Sequence, residues 1–452
     1  MTGVSLSRWT MSYFAAALVS LLAGEALMTL GYGFPHAALQ EPATLILVHV
    51  VAIGWLSLLM CGALFQFLPV LVAQPLHDNM LPLPTLASLV AGLAALILGF
   101  LQLAGMVDPG LPFFALAGTL LGVGFALVLW NLARTLWAAQ SWSLPAQFVI
   151  VGLASVAATA ALGIIFTLVI GGATDYEPFV ALAAGGLSLH AIAGLGGWLT
   201  FTAMGVSYRL LAMFMLAPDL ERPSTRAALY LGSAALAIAI VGGVLAILLH
   251  GESSVALLLA GGVGLVALAL YGTDVLHLYR ARKRPRIELN SRMAVLALAS
   301  LAASVVLLVA LLALGQHPND QVGAVVFLAA FGWLTGLGLA KLYKIVAFMT
   351  WLECYGPVLG KAQTPRVQDL VIESRAIKWF WLYFIGVWAG TAALVAGQPR
   401  LFQACATAML AATGGIIAQL VRTRRLVDVK SALRLPLGAQ RPRLLFSVSH
   451  QR

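Results

Sequence analysis

The positive charges of this chain are confined to every second gap between long apolar runs. Of its 26 Lys and Arg residues, Arg400 alone lies in an even-numbered gap; all the others lie in or beside the odd-numbered gaps and the two chain ends. Lys and Arg concentrate in cytoplasmic loops of membrane proteins. The pattern therefore predicts a membrane protein with an even number of spans and with both termini in the cytoplasm. The even-numbered gaps are 32–43, 106–111, 172–177, 250–253, 316–320 and 398–400.

The apolar runs are long enough and numerous enough to make lipid the main solvent of this chain. Hydrophobic residues make up 61% of the chain and charged residues 9%, whereas a soluble domain has about 25% charged residues. A run of about 20 apolar residues spans the hydrocarbon layer as a helix. The sequence predicts an all-α polytopic protein of a bacterial-type inner membrane, with a twelve-helix membrane domain at 1–421 and a basic cytoplasmic tail at 422–452. The predicted spans are 11–32, 44–73, 82–105, 112–138, 146–171, 178–215, 226–249, 254–279, 292–315, 321–350, 377–397 and 401–421.

Charge and cysteine content exclude several other classes. The net charge of +10 is accounted for by cytoplasmic loops that set topology and contact anionic lipid, so no nucleic-acid partner is expected. The cysteines Cys61, Cys354 and Cys405 are scattered and form no CxxC pair, which argues against a disulfide framework or a zinc ribbon. We expect the first apolar run to be a retained span, because no small-residue cleavage pattern follows it.

A short motif recurs in predicted spans 2, 6 and 10. Each span contains Gly-Trp-Leu, then a small residue seven positions after the Trp, and then an aromatic residue ten positions after it. Consecutive copies are separated by four spans and share one direction across the membrane. Repeats of the same sense are related by an axis along the membrane normal. The sequence thus predicts three pseudo-repeated four-helix units. The motif tryptophans are Trp55, Trp198 and Trp333.

The chain resembles subunit I of the heme-copper oxidase superfamily. The resemblance rests on the number of spans, the cytoplasmic termini, the repeat and the segment 49–69. That superfamily includes the nitric oxide reductases, and the NnrS-type haem proteins look like distant relatives. In the family, spans 2, 6 and 10 carry metal-binding histidines toward the outer face. The resemblance implies a haem, which we expect to be haem b, and a role in electron transfer or in handling a diatomic gas such as NO or O2.

The chain departs from that family at the metal ligands. His190 is followed by Ala-Ile-Ala-Gly where oxygen-reducing members have a His-Pro-Glu-like motif, and His250 is the one histidine near span 7. The stretch 325–331 of span 10 contains no histidine. We therefore expect no complete copper centre and no proton-pumping oxidase activity, and an oxidoreductase activity of another kind stays open.

His49 and Glu25 are the first candidate pair. His49 lies near the outer start of span 2, and one axial imidazole is enough to hold a five-coordinate haem. An equal alternative is a histidine that donates a hydrogen bond to a neighbouring helix. Glu25 lies at a similar depth in span 1, where it could orient His49, serve as a protonation site in a water-filled path, or be a neutral acid without a role.

His190 and His250 are weaker candidates for the same chemistry. His190 could be a second axial or distal haem ligand, or it could bind a second metal with help from His250. Copper and iron usually take three or more protein ligands, so the second-metal reading is the less favoured one. His49 precedes its Trp by six residues and His190 by eight; the two imidazoles thus point differently relative to the repeat.

Two other classes of function compete with a haem protein. One is a cofactor-free membrane subunit or assembly factor, which the histidine-free span 10 favours. The other is a twelve-helix transporter, because transporters also contain internal repeats; the prolines here lie mostly at helix ends, which argues against broken transport helices. His36 and His317, in outer loops, could contact a redox partner or a second subunit on the outer face.

Overall fold

The part of the chain that the structure describes contains twelve helices long and apolar enough to cross a membrane, which agrees with the predicted number of spans. The computed structural model describes residues 7–108, 110–220, 222–314 and 318–447, with backbone alone at 318–320. We number the spans in chain order. They are α1 (Thr10–Thr29), α2 (Pro42–Val72), α3 (Pro82–Leu103), α4 (Phe113–Trp137), α5 (Leu144–Ile170), α6 (Leu187–Met215), α7 (Pro223–Leu248), α8 (Ser254–Arg280), α9 (Leu289–Ala313), α10 (Gln321–Val358), α11 (Glu373–Val395) and α12 (Pro399–Arg424).

Proline and glycine set many of the helix ends. Proline occupies the first turn of α2, α3, α7 and α12, where its missing N–H costs no hydrogen bond. The helices α1, α3, α5 and α11 are each followed, two residues on, by a glycine with a positive φ angle, the left-handed conformation that caps a helix C-terminus. All four of these ends lie on the predicted outer side. The capping glycines are Gly31, Gly105, Gly172 and Gly397.

One predicted span was wrong in its extent. The sequence predicted a single helix over 178–215. The structure instead has a short helix at Glu177–Gly185, a break at Gly186, and then α6, which begins at Leu187. Gly186 donates its N–H to the carbonyl of Leu182 at 2.7 Å. Two consecutive glycines have the lowest cost for leaving the helical path, and that is where the chain turns.

The chain divides into two compact units. One unit contains residues 1–66 and 288–452, and within it α1 packs on α12 and on α2, α9 on α10, and α11 on α12. The other unit contains residues 67–287, and within it α3 packs on α4, α4 on α5, α5 on α6, and α7 on α8. We call them the terminal unit and the central unit.

The basic tail is part of the terminal unit. A small apolar cluster joins the end of α10 to the chain after α12, through Tyr355, Leu370 and Leu426. The Tyr355 hydroxyl donates to the carbonyl of Arg434 at 2.6 Å, and the Ser447 N–H donates to the carbonyl of Arg8 at 2.9 Å. The tail therefore packs back on α10 and reaches the start of α1.

Candidate functional site

Three of the spans widen into a π-helix where the Gly-Trp-Leu motif lies. The wide segments are Val50–Ser57 in α2, Ile192–Phe201 in α6 and Leu328–Thr335 in α10. Single π turns inside α-helices are frequent at functional sites. A shorter π turn without the motif lies at Ile238–Gly242 in α7. The motif thus marks a shared local geometry, and the three-unit arrangement around an axis stays a prediction.

The motif tryptophans and small residues make tight helix contacts. Trp55, Trp198 and Trp333 are all buried. A Cβ added to Gly62 would stand 2.6 Å from the Cβ of Tyr13 in α1, and one added to Gly205 would overlap Phe148 in α5. The absence of a side chain at these two positions therefore lets the neighbouring helices approach closely.

His49 lies at the junction between the α-helical start of α2 and its π segment. Its Nδ1–H donates to the carbonyl of Leu45 at 2.7 Å. A carbonyl can only accept, so Nδ1 carries the proton, and Nε2 is the basic nitrogen of the neutral ring. This tautomer is the one that a haem-ligating imidazole uses, with Nδ1 bonded to a backbone carbonyl and Nε2 able to bind iron. The side chain is partly buried.

His190 lies in the central unit, four residues into α6. Its Nδ1–H donates to the carbonyl of Thr159 in α5 at 3.1 Å, and its ring packs 5.4 Å from that of Phe166. A Cβ added to Gly163 would stand 3.2 Å from the imidazole Cε1. The ring is thus held against one face of α5, as a histidine that bonds a neighbouring helix would be.

His250 is a helix-capping residue. It follows the end of α7 with a φ of 57°, and it occupies the same left-handed position that glycine occupies after α1, α3, α5 and α11. Its N–H donates to the carbonyl of Ile247 at 3.0 Å, and its side chain is exposed. This backbone role accounts for its position; its help in binding a second metal stays a prediction.

Glu25 bonds to a partner that the sequence did not suggest. It is fully buried in α1, and its Oε1 accepts a hydrogen bond of 2.9 Å from the hydroxyl of Thr413 in α12. Its Oε2 has no hydrogen-bond partner among the described residues. The structure thus bonds Glu25 to α12 and not to His49, and the role of Glu25 in orienting His49 stays a prediction.

A set of buried polar groups joins α2, α10 and α11 in the terminal unit. The indole N–H of Trp55 donates to the hydroxyl of Thr335 at 2.8 Å, and Thr335 donates to the carbonyl of Ala330 at 2.8 Å. The Tyr383 hydroxyl donates to the carbonyl of Phe331 at 2.9 Å. The carbonyls belong to the π segment of α10, so the widened turn is tied to α2 and α11. Sequence analysis missed this set, although the repeated Trp was its visible signal.

In the repeat, Phe327 of α10 occupies the position that His49 occupies in α2. Phe327 precedes Trp333 by six residues, as His49 precedes Trp55. Its ring is buried against those of Phe331 at 5.0 Å and Phe402 at 5.2 Å. An aromatic cluster therefore occupies the position that an imidazole holds in α2.

The predicted cytoplasmic ends of the spans carry buried acids with partners. In the terminal unit Glu353 pairs with Arg424 at 2.9 Å, and both side chains are about 4% exposed. In the central unit the fully buried Asp274 accepts hydrogen bonds from Tyr208 at 3.2 Å and from Ser224 at 2.5 Å. The cation nearest to Asp274 is Arg222, at 3.6 Å. These groups are structural anchors, since each acid is satisfied locally.

The donor set fits a single axial ligand better than a metal cluster. Within the described part of the chain, no three His, Cys, Asp or Glu side chains come together in a way that could hold a metal ion. A five-coordinate haem requires one axial imidazole, and His49 is a histidine whose tautomer is fixed in the way such a ligand needs. Compared with models of known protein families and with curated proteins, the chain matches none.

Proposed function

We propose that this twelve-span integral membrane protein is a haem protein of the heme-copper oxidase subunit I type, with His49 as the axial ligand. The observation that carries the proposal is the 2.7 Å bond from His49 Nδ1 to the Leu45 carbonyl, which leaves Nε2 as the basic nitrogen at the start of a π segment. Haem b bound there would supply one-electron transfer or a site for NO or O2. In this proposal the three motif-bearing spans belong to three related four-helix units in an inner membrane.

The protein residues have distinct tasks in this proposal. The carbonyl of Leu45 holds the imidazole of His49 in one tautomer and one orientation, which raises its basicity as a ligand. The Nδ1–H of His190 donates to the carbonyl of Thr159, and this bond would fix the tautomer of His190 in the same way. A redox partner or a second subunit would bind on the outer face.

The visible spectrum of the purified protein tests the proposal. The full chain is purified from haem-replete cells, and the Soret band is recorded for the wild type, for His49→Ala and for His250→Ala. We expect the band in the wild type and in His250→Ala, because His250 is an exposed capping residue, and its loss in His49→Ala. A band of unchanged intensity in His49→Ala contradicts the role of His49.

A cofactor-free membrane subunit is the second candidate, and Phe327 is the observation that favours it. The family places its second low-spin haem ligand on the tenth span, and there this chain has a buried aromatic cluster. The same spectra separate the two candidates. A well-folded wild-type protein without any Soret band supports the cofactor-free role and removes the haem.

A further inference from the structure

The buried carboxyl of Glu25 has an environment that suits one kind of ligand. Its side chain is fully buried in α1, Oε1 accepts from Thr413, and Oε2 has no hydrogen-bond partner among the described residues. No cationic side chain of the described chain lies within ion-pair distance of it. An ionised carboxylate left unpaired in an apolar interior is so costly that such groups take up a proton instead.

The elements around Glu25 offer no charge that would stabilise its ionised form. From α12 the neighbour is Thr413, which does not ionise. On α11, the hydroxyl of Tyr383 donates to the Phe331 carbonyl and not to Glu25. In α2, which also packs on α1, the ionisable groups are His49 and Cys61, and the Nδ1–H of His49 bonds to the Leu45 carbonyl.

A proton is the ligand that these groups can hold. A metal cation needs a cage of several oxygen ligands, whereas the described residues supply the carboxyl of Glu25 and the single hydroxyl of Thr413. A proton needs one carboxyl oxygen, and Oε2 is that oxygen. We propose that Glu25 is a proton-binding site of the membrane interior, which holds a proton at neutral pH and exchanges it with solvent. This inference does not rest on haem binding.

A hydrophobic carbodiimide tests the protonation directly. A protonated carboxyl adds across one C=N bond of the reagent. The acid proton moves to a nitrogen of the reagent, and the carboxyl oxygen forms a bond to its central carbon. The acyl group then shifts from that oxygen to a nitrogen of the reagent. Nothing is oxidised and no group leaves, so the labelled peptide gains the mass of the whole reagent. The full-length protein in liposomes is treated with dicyclohexylcarbodiimide and the labelled residue is located by mass spectrometry.

The expected result is a label on Glu25 whose rate falls as pH rises. Glu353 is the internal control, because it is also buried but is paired with Arg424, and it should stay unlabelled. Thr413→Val should keep the label, since the carboxyl remains, while Glu25→Gln should lose it. An unlabelled Glu25 in the wild type overturns the proposal, and so does protection of Glu25 by Na+, which would make it a metal-cation site.

Infrared spectroscopy tests the exchange without depending on the reagent. A protonated carboxyl absorbs above the amide bands, and we expect such a band in the wild type, a small downshift in D2O, and its absence in Glu25→Gln. A wild-type spectrum without that band overturns the protonated state. A band that does not shift after prolonged incubation in D2O overturns the exchange.

Discussion

Two buried glutamates of the terminal unit differ in what surrounds their charge. Glu353, at the predicted cytoplasmic end of α10, pairs with Arg424, which also donates to the Thr350 hydroxyl at 3.1 Å and to the Arg443 carbonyl. The carboxyl of Glu25, inside α1, has one hydrogen-bond partner among the described residues, the hydroxyl of Thr413. The first is a fixed ion pair that ties the tail to the bundle, and the second is an acid without a counter-charge. Burial alone therefore does not tell whether an acid in this protein is structural or can bind a ligand.

The largest expected effect is the loss of one partner of the Glu353 pair. Arg424→Met leaves Glu353 buried and uncompensated, which should lower the free energy of unfolding by about 3–5 kcal/mol. Thermal unfolding of the purified protein measures the change. Glu25→Gln, which removes no counter-charge and keeps an acceptor for Thr413, should change the same free energy by less than about 1 kcal/mol.

A double variant distinguishes the contribution of the ion pair from the cost of leaving one buried charge unpaired. Glu353→Met with Arg424→Met removes both ions together, and it should recover most of the stability that Arg424→Met alone loses. A double variant as unstable as the single one would show that Arg424 acts through its contacts with Thr350 and Arg443. The contrast with Glu25 would then need another explanation.

Two adjacent glycines, Gly414 and Gly415, test the packing of α12. This helix carries the partners of both glutamates, Thr413 for Glu25 and Arg424 for Glu353. A Cβ on Gly415 would overlap the ring of Trp379 in α11, whereas one on Gly414 would meet nothing within 4 Å. Gly415→Ala should lower the free energy of unfolding by about 1–3 kcal/mol. Gly414→Ala is the matched control, and the helix propensity of Ala should leave it neutral or more stable. Equal thermal shifts in both variants would contradict the packing of α11 on α12.

A smaller effect is expected from the buried polar set that joins α2, α10 and α11. Thr335→Val keeps the shape of the side chain but removes the acceptor for the Trp55 indole N–H. Hydrogen bonds between membrane helices contribute about 0.6 kcal/mol on average, and a loss of that order should appear in thermal unfolding. Thr407→Val is the control, because Thr407 is exposed and bonds only to a carbonyl of its own helix. If Thr407→Val lowers the stability as much as Thr335→Val does, the bond between Thr335 and Trp55 does not account for the loss.

The smallest expected effect is the pH dependence of tail docking. Burial raises the pKa of Asp428, but hydrogen bonds and charges from Arg422 and Arg375 outweigh it, so the pKa of Asp428 lies below its ordinary value. Its ion pairs therefore contribute stability at neutral pH that is lost only as pH falls through that lowered pKa, on the acid side of about pH 4.

Hydrogen exchange of the tail measures this pH dependence. Exchange in residues 426–434, corrected for the intrinsic rate, should be constant between about pH 5 and pH 8 and should increase only in stronger acid. Asp428→Asn should abolish the acid-induced increase. A tail that loosens near pH 6 in the wild type would show that another group controls its docking.

The sequence predicted the spans well because their signal is local. Apolar length and the side on which Lys and Arg lie can be read without any tertiary contact, and all twelve helices follow. The break at Gly186 also had a local signal in the Gly185-Gly186 pair, which the long apolar run obscured. His250 could have been interpreted as a helix cap from its position. It stands just after an apolar run, where four other spans are followed by a capping glycine.

The buried polar contacts could not be predicted in the same way. Thr413 lies 388 residues from Glu25 and Thr335 lies 280 residues from Trp55, so each bond depends on which helices are neighbours and on how each is rotated. The π segments change that rotation by inserting residues into a turn, and helical periodicity at 100° per residue does not predict them. The pairing of Glu353 with Arg424 depends equally on the meeting of α10 and α12.

The haem content of the purified protein tests the central claim that His49 binds a haem. The amount of haem is measured as the pyridine haemochrome and divided by the amount of protein, for the wild type, His49→Ala and the capping control His250→Ala. The account predicts about one haem per chain in the wild type and in His250→Ala, and almost none in His49→Ala, as expected for a single axial ligand. Haem retained in full by His49→Ala, or none in a folded wild type, would contradict it.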